Sequence, residues 1–137
     1  MADLLTNKTF QFELVSPERI LASEEAAMVV VPGEAGDFGV LAEHAPLLSS
    51  IRPGVVSVYL PSGEIKKIFV AGGFADVNGR LCSVLAEEAV NVNDLDKGKA
   101  EETLRDLTAE LAGVGDDLVR RANIQCGIEI AKAKIAA

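Results

Sequence analysis

The 137-residue sequence predicts an α+β fold in which a β module precedes a helical module. Eight of the twelve glycines and all five prolines lie before residue 90, where they separate short runs of strand-forming residues. After residue 90, Ala, Leu, Glu, Lys and Asp dominate, and most of these residue types favour helices. We therefore expect a β-sandwich or barrel in residues 1–90 and helices in residues 91–137.

Short apolar runs mark the predicted strands. Phe10, Phe12 and Leu14 alternate with polar residues, which is typical of a strand with one buried face. Further strand-like runs follow at 28–31, 55–60, 64–70, 74–77 and 81–86. Asn78-Gly79 joins the last two runs, and this pair favours a type I′ turn with positive φ at both residues. Many short strands separated by turns are typical of a sandwich or a barrel.

The first predicted helix begins after a capping residue, either Asn93 or Asp94. Its apolar stripe has helical spacing and consists of Ala100, Leu104, Leu107 and Leu111. The glycines of Gly113-Val114-Gly115 end this helix, so the two helices should form an antiparallel hairpin.

The second predicted helix begins near Asp116 and is apolar over a wide arc. Its predicted stripe consists of Val119, Ala122, Cys126 and Ile130, and three more isoleucines lie beside it: Ile124, Ile128 and Ile135. Gly98 and Gly127 each cost a helix interior about 1 kcal/mol relative to Ala. This weakening suits a module that changes position.

Charge and composition exclude several classes of protein. The net charge is −8 and the pI is near 4.6, so a phosphate backbone would repel the chain and nucleic acid is not an expected partner. No apolar run approaches the roughly 20 residues that span a bilayer. The first 15 residues lack the pattern of a signal peptide, so we expect the protein to stay where it is made. Two cysteines provide no disulfide framework, and we expect both as free thiols.

The inventory of catalytic side chains is small. His44 is the single histidine, so one residue would have to serve every Ser-His or Cys-His mechanism. One His and two Cys fall short of an ordinary zinc site, and no cofactor is expected. The Gly-rich segment 31–41 lacks the Gly-Lys-Ser/Thr ending of a phosphate-binding loop, so its glycines more plausibly serve turns. An enzyme is therefore disfavoured.

A longer motif identifies a family resemblance. The stretch Gly33–Leu48, GEAGDFGVLAEHAPLL, followed by Ile51-Arg-Pro-Gly54, resembles the signature of the F-type ATP synthase epsilon subunit, whose mitochondrial counterpart is called delta. Segments 14–18, 70–74 and 84–86 add further matches, and the resemblance covers nearly the whole chain. The chain departs from many relatives at Ala42-Glu43, where they have Pro-Gly.

The resemblance implies a fold and a role. The fold would be a β-sandwich of about ten strands in residues 1–90 and an antiparallel helical hairpin in residues 91–137. The role would be non-catalytic: part of the central rotor stalk that binds the gamma subunit and the c-ring and couples proton flow to ATP synthesis. An extended hairpin would reach the alpha and beta catalytic subunits and inhibit ATP hydrolysis. The protein would lie peripherally on the cytoplasmic face of a bacterial inner membrane and meet the membrane only through the c-ring. The chloroplast stromal face is the alternative location.

The resemblance also assigns residues. Ser16, His44 and Ala45 match positions that face gamma, and Asp37 with Glu34 occupies the loop that faces the c-ring. Some bacterial relatives bind regulatory ATP at the start of the first helix, where this chain has Asp96, Lys99 and Ala100. Lys99 stands in place of an arginine there. Those relatives also have two arginines four residues apart in the second helix, where this chain has the adjacent Arg120 and Arg121. Two alternatives stay open: a free-standing nucleotide-responsive regulatory module and a small β-rich enzyme.

Overall fold

The computed structural model describes residues 8–137, which divide into two compact units between Val92 and Asn93. The described part of the first unit contains ten strands, and the second unit contains two helices. This architecture confirms the predicted α+β fold with a sandwich and a helical hairpin.

Two five-stranded sheets make up the sandwich. The strands are β1 Phe10–Val15, β2 Ile20–Ala26, β3 Met28–Gly33, β4 Gly36–Leu41, β5 Leu47–Ser50, β6 Gly54–Tyr59, β7 Ile65–Ala71, β8 Phe74–Val77, β9 Leu81–Leu85 and β10 Glu88–Asn91. Sheet I has the strand order β2-β1-β9-β8-β5, and sheet II has the order β10-β7-β6-β3-β4. Of the described strand pairs, β1 and β9 run parallel and the others run antiparallel.

Alternating side chains supply the core of the sandwich. Phe10, Phe12 and Leu14 are buried, while the residues between them are half-buried, as the alternation of β1 predicts. One buried cluster unites side chains from both sheets, so each sheet covers the apolar face of the other. Its members are Phe10, Phe12, Leu14, Ala26, Val29, Val31, Val40, Ile51, Val56, Val58, Val70, Ala75, Val77, Cys82, Val84 and Ala86.

The turn between β8 and β9 differs from the predicted type I′ turn. Asn78 donates its backbone N–H to the Leu81 carbonyl at 2.9 Å, so Gly79 and Arg80 are the central residues. Among residues 8–137, neither Asn78 nor Gly79 has a positive φ. The Asn78 side-chain oxygen accepts from the N–H groups of Arg80 and Leu81, both at 2.9 Å. This side-chain turn replaces the φ-positive geometry that the Asn-Gly pair alone favours.

The second unit is an antiparallel pair of helices, α1 Lys97–Ala112 and α2 Leu118–Ala136, preceded by a 3₁₀ turn at Val92–Asp94. Asp96 caps α1 and Asp117 caps α2, each through a side-chain oxygen that accepts a backbone N–H three residues later. The predicted caps Asn93, Asp94 and Asp116 are therefore wrong, because the 3₁₀ turn and the interhelix turn use those residues.

The structure also corrects the predicted stripe of α2. Val119 is 73% exposed, and Ala122 and Cys126 are exposed as well. The buried residues of α2 are Ile124 and Ala131. An apolar arc as wide as that of α2 does not single out one face, so spacing alone chose the wrong stripe. Neither helix of residues 8–137 has the length and apolar content needed to cross a membrane.

Candidate functional site

The β3–β4 hairpin forms a tight tip at one end of the sandwich. Gly33 pairs with Gly36, so Glu34 and Ala35 are the two turn residues. A Cβ atom on Gly33 would lie 2.7 Å from the Gly36 carbonyl oxygen and 2.9 Å from the Phe38 ring, so only glycine fits there. Gly33 and Gly36 thus serve a turn between strands, as the sequence predicts, whereas Gly39 lies within β4.

Arg52 ties this tip to the segment after β5. Its backbone N–H donates to the Pro32 carbonyl at 3.0 Å, and its Nη1 donates to the Gly33 carbonyl at 3.3 Å. Its Nη2 donates to Asp37 Oδ1 at 2.5 Å. Three contacts from one residue therefore hold both strands of the hairpin, although the Arg52 and Asp37 side chains are 43% and 60% exposed.

Glu34 lies at the turn itself and is held only through its backbone. Its N–H donates to the Ser50 carbonyl at 2.9 Å. Its side chain is exposed, and within the described range 8–137 it forms no ion pair. The tip thus presents one carboxylate that is paired and one that is open to a partner.

The 42–46 loop holds His44 by local bonds. Its backbone N–H donates to the Leu41 carbonyl at 3.2 Å, and its Nδ1 donates to the Ala45 carbonyl at 2.6 Å. Glu43 has φ of 65°, in the left-handed region that favours glycine. A glycine at this position would adopt this backbone without strain.

Ser16 closes the β1–β2 turn. Its hydroxyl accepts from the Arg19 N–H at 3.3 Å and lies 3.2 Å from the Arg19 carbonyl. Its own N–H donates to the Arg19 carbonyl at 2.9 Å. Ser16 is half-buried and its hydroxyl is already used within the turn.

The three residues assigned to gamma do not form one cluster. Strand register aligns Val15, Leu85, Phe74 and Ser50 at one end of sheet I, whereas Leu47 pairs with Val77 at the other end. Ser16 follows Val15 at the first end. His44 and Ala45 precede Leu47 at the second end. The outward face of sheet I therefore lies between them.

That outward face carries large apolar side chains that sequence reasoning missed. Leu48 pairs with Asp76 and is 69% exposed, and Phe74 is 42% exposed. Ala75 and Val77 of the same strand are buried, so Phe74 points away from the core. The sequence does contain a signal, since Leu47 and Leu48 are adjacent and a strand can direct only one of two neighbours inward.

The residues assigned to nucleotide binding lie at the start of α1. Asp96 Oδ1 accepts the Lys99 N–H at 3.0 Å, Lys99 is exposed, and Ala100 is buried. Arg120 pairs with Glu110 at 2.9 Å, and Arg121 donates to the Gly115 carbonyl at 2.9 Å. Both arginines thus lie at the interhelix turn, at the other end of α1 from Lys99. The structure does not bring the two groups together.

The metal-ligating side chains and the two cysteines are the remaining groups to consider. Across residues 8–137, no group of three His, Cys, Asp or Glu side chains could hold a metal ion. Burial, with a smaller effect of the Asp76 charge, raises the pKa of Cys82 to about 12, so this thiol stays protonated near neutral pH. Cys82 and Cys126 are both free, as the sequence predicts.

The fold and these surfaces define a class of protein, a two-sheet β-sandwich followed by an antiparallel helical hairpin. Residues 9–92 match the family model of the ATP synthase delta/epsilon chain β-sandwich domain. The ATP synthase epsilon chain of Rhodospirillum rubrum is 48% identical over 130 residues, which are 95% of this chain and 92% of the relative. The epsilon chain of Chelativorans sp. strain BNC1 is 45% identical over 113 residues, 82% of this chain and 84% of the relative. The chain is thus an epsilon-type member of the ATP synthase delta/epsilon family.

Solved structures share the fold. A chain in the cryo-EM structure of the Euglena gracilis mitochondrial ATP synthase, with OSCP, F1 and c-ring, superposes with a TM-score of 0.83 and 24% identity. The match covers 93% of this chain and 80% of that one. A chain from the central stalk and c-ring of the Tetrahymena thermophila mitochondrial ATP synthase gives a TM-score of 0.60 at 11% identity, covering 93% and 97%.

Proposed function

We propose that this chain works as the non-catalytic epsilon subunit of a proton-translocating ATP synthase, in the central rotor stalk that couples proton flow to ATP synthesis. The observation that carries the proposal is the 48% identity to the Rhodospirillum rubrum epsilon chain over 95% of this chain. The chain would lie peripherally on the cytoplasmic face of a bacterial inner membrane and touch the membrane only through the c-ring.

The two parts of the chain would divide the work. Residues 1–90 would form the binding domain, and residues 91–137 would form a regulatory domain. The binding domain would hold both fixed contacts, because the motifs assigned to gamma and the c-ring lie in it.

Gamma would bind across the outward face of sheet I. The support is that Ser16 lies at one end of this face, that His44 and Ala45 lie at the other, and that Leu48 and Phe74 expose apolar surface between them. Leu48→Asp should therefore weaken co-purification with gamma. Ile65→Asp is the matched control, because Ile65 is 47% exposed on β7 of sheet II. Equal binding by the two variants would rule out this face.

The c-ring would meet the β3–β4 tip, which contains Asp37 and Glu34 and would face basic and polar groups of the ring's loops. Asp37→Lys should weaken coupling and leave folding intact, since exposed ion pairs are worth about 0–1 kcal/mol each. The measurement is ATP-driven proton pumping in membranes that carry the variant. Unchanged pumping with normal assembly would contradict a role for Asp37.

The hairpin would bias ATP hydrolysis by extending along gamma toward the alpha and beta subunits. The support is the wide apolar arc of α2, on which Val119 is exposed while Ile124 is buried. Two packings that differ by a few kcal/mol suffice for a switch, because a bias of about 5.5 kcal/mol moves a population from 1:99 to 99:1.

The experiment compares membranes with the full chain and with a chain that ends at Val92, so that β10 stays whole. Truncation should leave assembly and ATP synthesis nearly unchanged and should raise ATP hydrolysis. Loss of synthesis would show that the hairpin is needed for coupling. Equal hydrolysis would show that this chain does not inhibit through its hairpin.

Regulatory ATP binding at Asp96, Lys99 and Ala100 is a finer proposal and needs its own test. Because the Asp96 carboxylate already caps α1, a nucleotide would have to displace or share that contact. Titration calorimetry with ATP, carried out on the full wild-type chain and on the Asp96→Asn variant, measures whether ATP binds and whether the Asp96 carboxylate takes part. Native purification tests the alternative of a free-standing nucleotide-responsive module, which would separate from all other ATP synthase subunits.

A further inference from the structure

The β3–β4 tip contains two carboxylates with different surroundings. Asp37 is engaged by Arg52 Nη2 at 2.5 Å, whereas Glu34 is exposed and forms no ion pair in the described part of the chain. A basic group on a partner would have to compete with Arg52 for Asp37. It would meet no such competitor at Glu34.

Arg52 is well placed to fix the hairpin. Its guanidinium joins the Gly33 carbonyl of β3 to the Asp37 carboxylate of β4, and its backbone N–H binds the Pro32 carbonyl. The planar guanidinium can hold two acceptors in a fixed geometry, which a lysine ammonium does less well. Ser50 lies two residues before Arg52, and its carbonyl accepts the Glu34 N–H. The segment 50–52 therefore holds residues on both sides of the β3–β4 turn.

We propose that Arg52 is the positioning residue of the c-ring contact: it binds Asp37 within the hairpin, so that Glu34 is the carboxylate that pairs with a cation of the ring. The proposal rests on the proposed function, because it assumes that this tip meets the c-ring. It assigns Asp37 a role within the chain and Glu34 a role toward the partner.

The test measures affinity of the full chain for purified c-ring in detergent, at several salt concentrations. Glu34→Gln should lower affinity about twofold to fivefold, the range for one exposed ion pair, and should flatten the salt dependence. The double variant Asp37→Asn/Arg52→Gln removes both charges of the internal pair and leaves their sum unchanged. It should keep the salt dependence of the wild type, because the charge at Glu34 is unchanged, but lower the affinity about twofold to fivefold, because the hairpin is no longer held by Arg52.

A second readout separates positioning from general stability. Arg52→Gln should speed backbone hydrogen exchange in residues 33–39 without a change elsewhere in the sandwich. Arg80→Gln is the matched control, since it also removes one arginine charge. Arg80 lies in the β8–β9 turn, at the end of sheet I opposite to Ser50. Exchange in residues 33–39 should be unchanged in that control.

Three results would overturn the inference. One is an unchanged affinity in Glu34→Gln. Another is a flattened salt dependence in the Asp37/Arg52 double variant, which would make Asp37 the contact. The third is exchange in residues 33–39 that does not respond to Arg52→Gln. Failure of the proposed function looks different, because the wild-type chain itself would then not bind the ring.

Discussion

The sandwich and the hairpin differ in how much core each contains. Sixteen buried side chains form one cluster in the sandwich, whereas the hairpin has three buried residues, Ala100, Ile124 and Ala131. Burial of a large aliphatic side chain contributes roughly 1.5–3 kcal/mol, so the sandwich has far more stabilisation of its own. The difference fits a division in which one part holds fixed contact surfaces and the other can change its packing.

The largest expected effect compares the same substitution in the two parts. Leu14→Ala should destabilise the sandwich by about 3–5 kcal/mol, because Leu14 is fully buried and its removal leaves a cavity. Leu107→Ala should cost about 1–2 kcal/mol, because Leu107 is half-buried in α1. Native-state hydrogen exchange measures the free energy of opening in each part. Similar losses in the two variants would contradict the unequal cores.

The reactivity of the two cysteines also compares the sandwich with the hairpin, because each part contains one free thiol. Cys126 is exposed on α2, and Cys82 is buried in sheet I with its pKa raised to about 12. A maleimide at pH 8 should label Cys126 quickly and leave Cys82 unlabelled until the sandwich opens. Cys126→Ser should therefore abolish fast labelling. Rapid modification of Cys82 in the native protein would show that the core is more open than its packing indicates.

The raised pKa of Cys82 also predicts that the free energy of unfolding depends on pH. The folded pKa of Cys82 lies above the ordinary value of 9.0, because burial disfavours the thiolate. Its contribution to stability is fully present below about pH 9 and is lost as the pH rises toward 12. Urea denaturation between pH 8 and 11 should show this loss, and Cys82→Ala should reduce it.

How much the sequence could predict also differs between the two parts. Most strands can be predicted from the sequence, because apolar and polar side chains alternate along a strand with one buried face, as in β1. Gly and Pro residues then mark where the strands end. The sequence does not single out the caps Asp96 and Asp117, because other Asn and Asp residues lie within three positions of each. The backbone conformation decides which side chain accepts the N–H three residues later. The buried face of α2, with Ile124 and Ala131, is not singled out by spacing, because apolar residues occupy a wide arc of this helix.

The candidate site could be predicted in part. The Gly33–Leu48 motif located the tip and the 42–46 loop, but the motif gives no partner for Asp37. Arg52 lies 15 residues away in sequence, and only the pairing of Gly33 with Ile51 brings it to the hairpin. The outward face of sheet I likewise depends on register, since Leu48 and Phe74 come from strands that only the fold makes neighbours.

A smaller effect is expected in the sandwich at Glu43. Its φ of 65° costs a non-glycine residue about 1 kcal/mol or more, and glycine avoids this strain. Glu43→Gly loses the exposed ion pair with Lys8 and gains flexibility in the unfolded chain, which offset part of the gain. The net result should be a stabilisation of about 0.5 kcal/mol, measured by urea denaturation. Glu43→Ala is the control, because it also removes the ion pair but keeps the strain, and it should not stabilise.

An effect of similar size is expected in the hairpin, at its own glycines. Gly98 lies in the first turn of α1, and a Cβ there would be 3.4 Å from Asp96 Oδ1, an ordinary contact. Gly98→Ala should therefore stabilise α1 by about 0.5 kcal/mol, less than the roughly 1 kcal/mol of a helix interior, because the first turn is less ordered. Gly127→Ala is the matched comparison, since its Cβ would lie 2.8 Å from Leu107 Cδ1 and would push that side chain aside. Thermal unfolding followed by helical circular dichroism should rank Gly98→Ala above Gly127→Ala. The reverse order would show that helix propensity outweighs the α1–α2 contact and that the hairpin accommodates the added volume at Gly127.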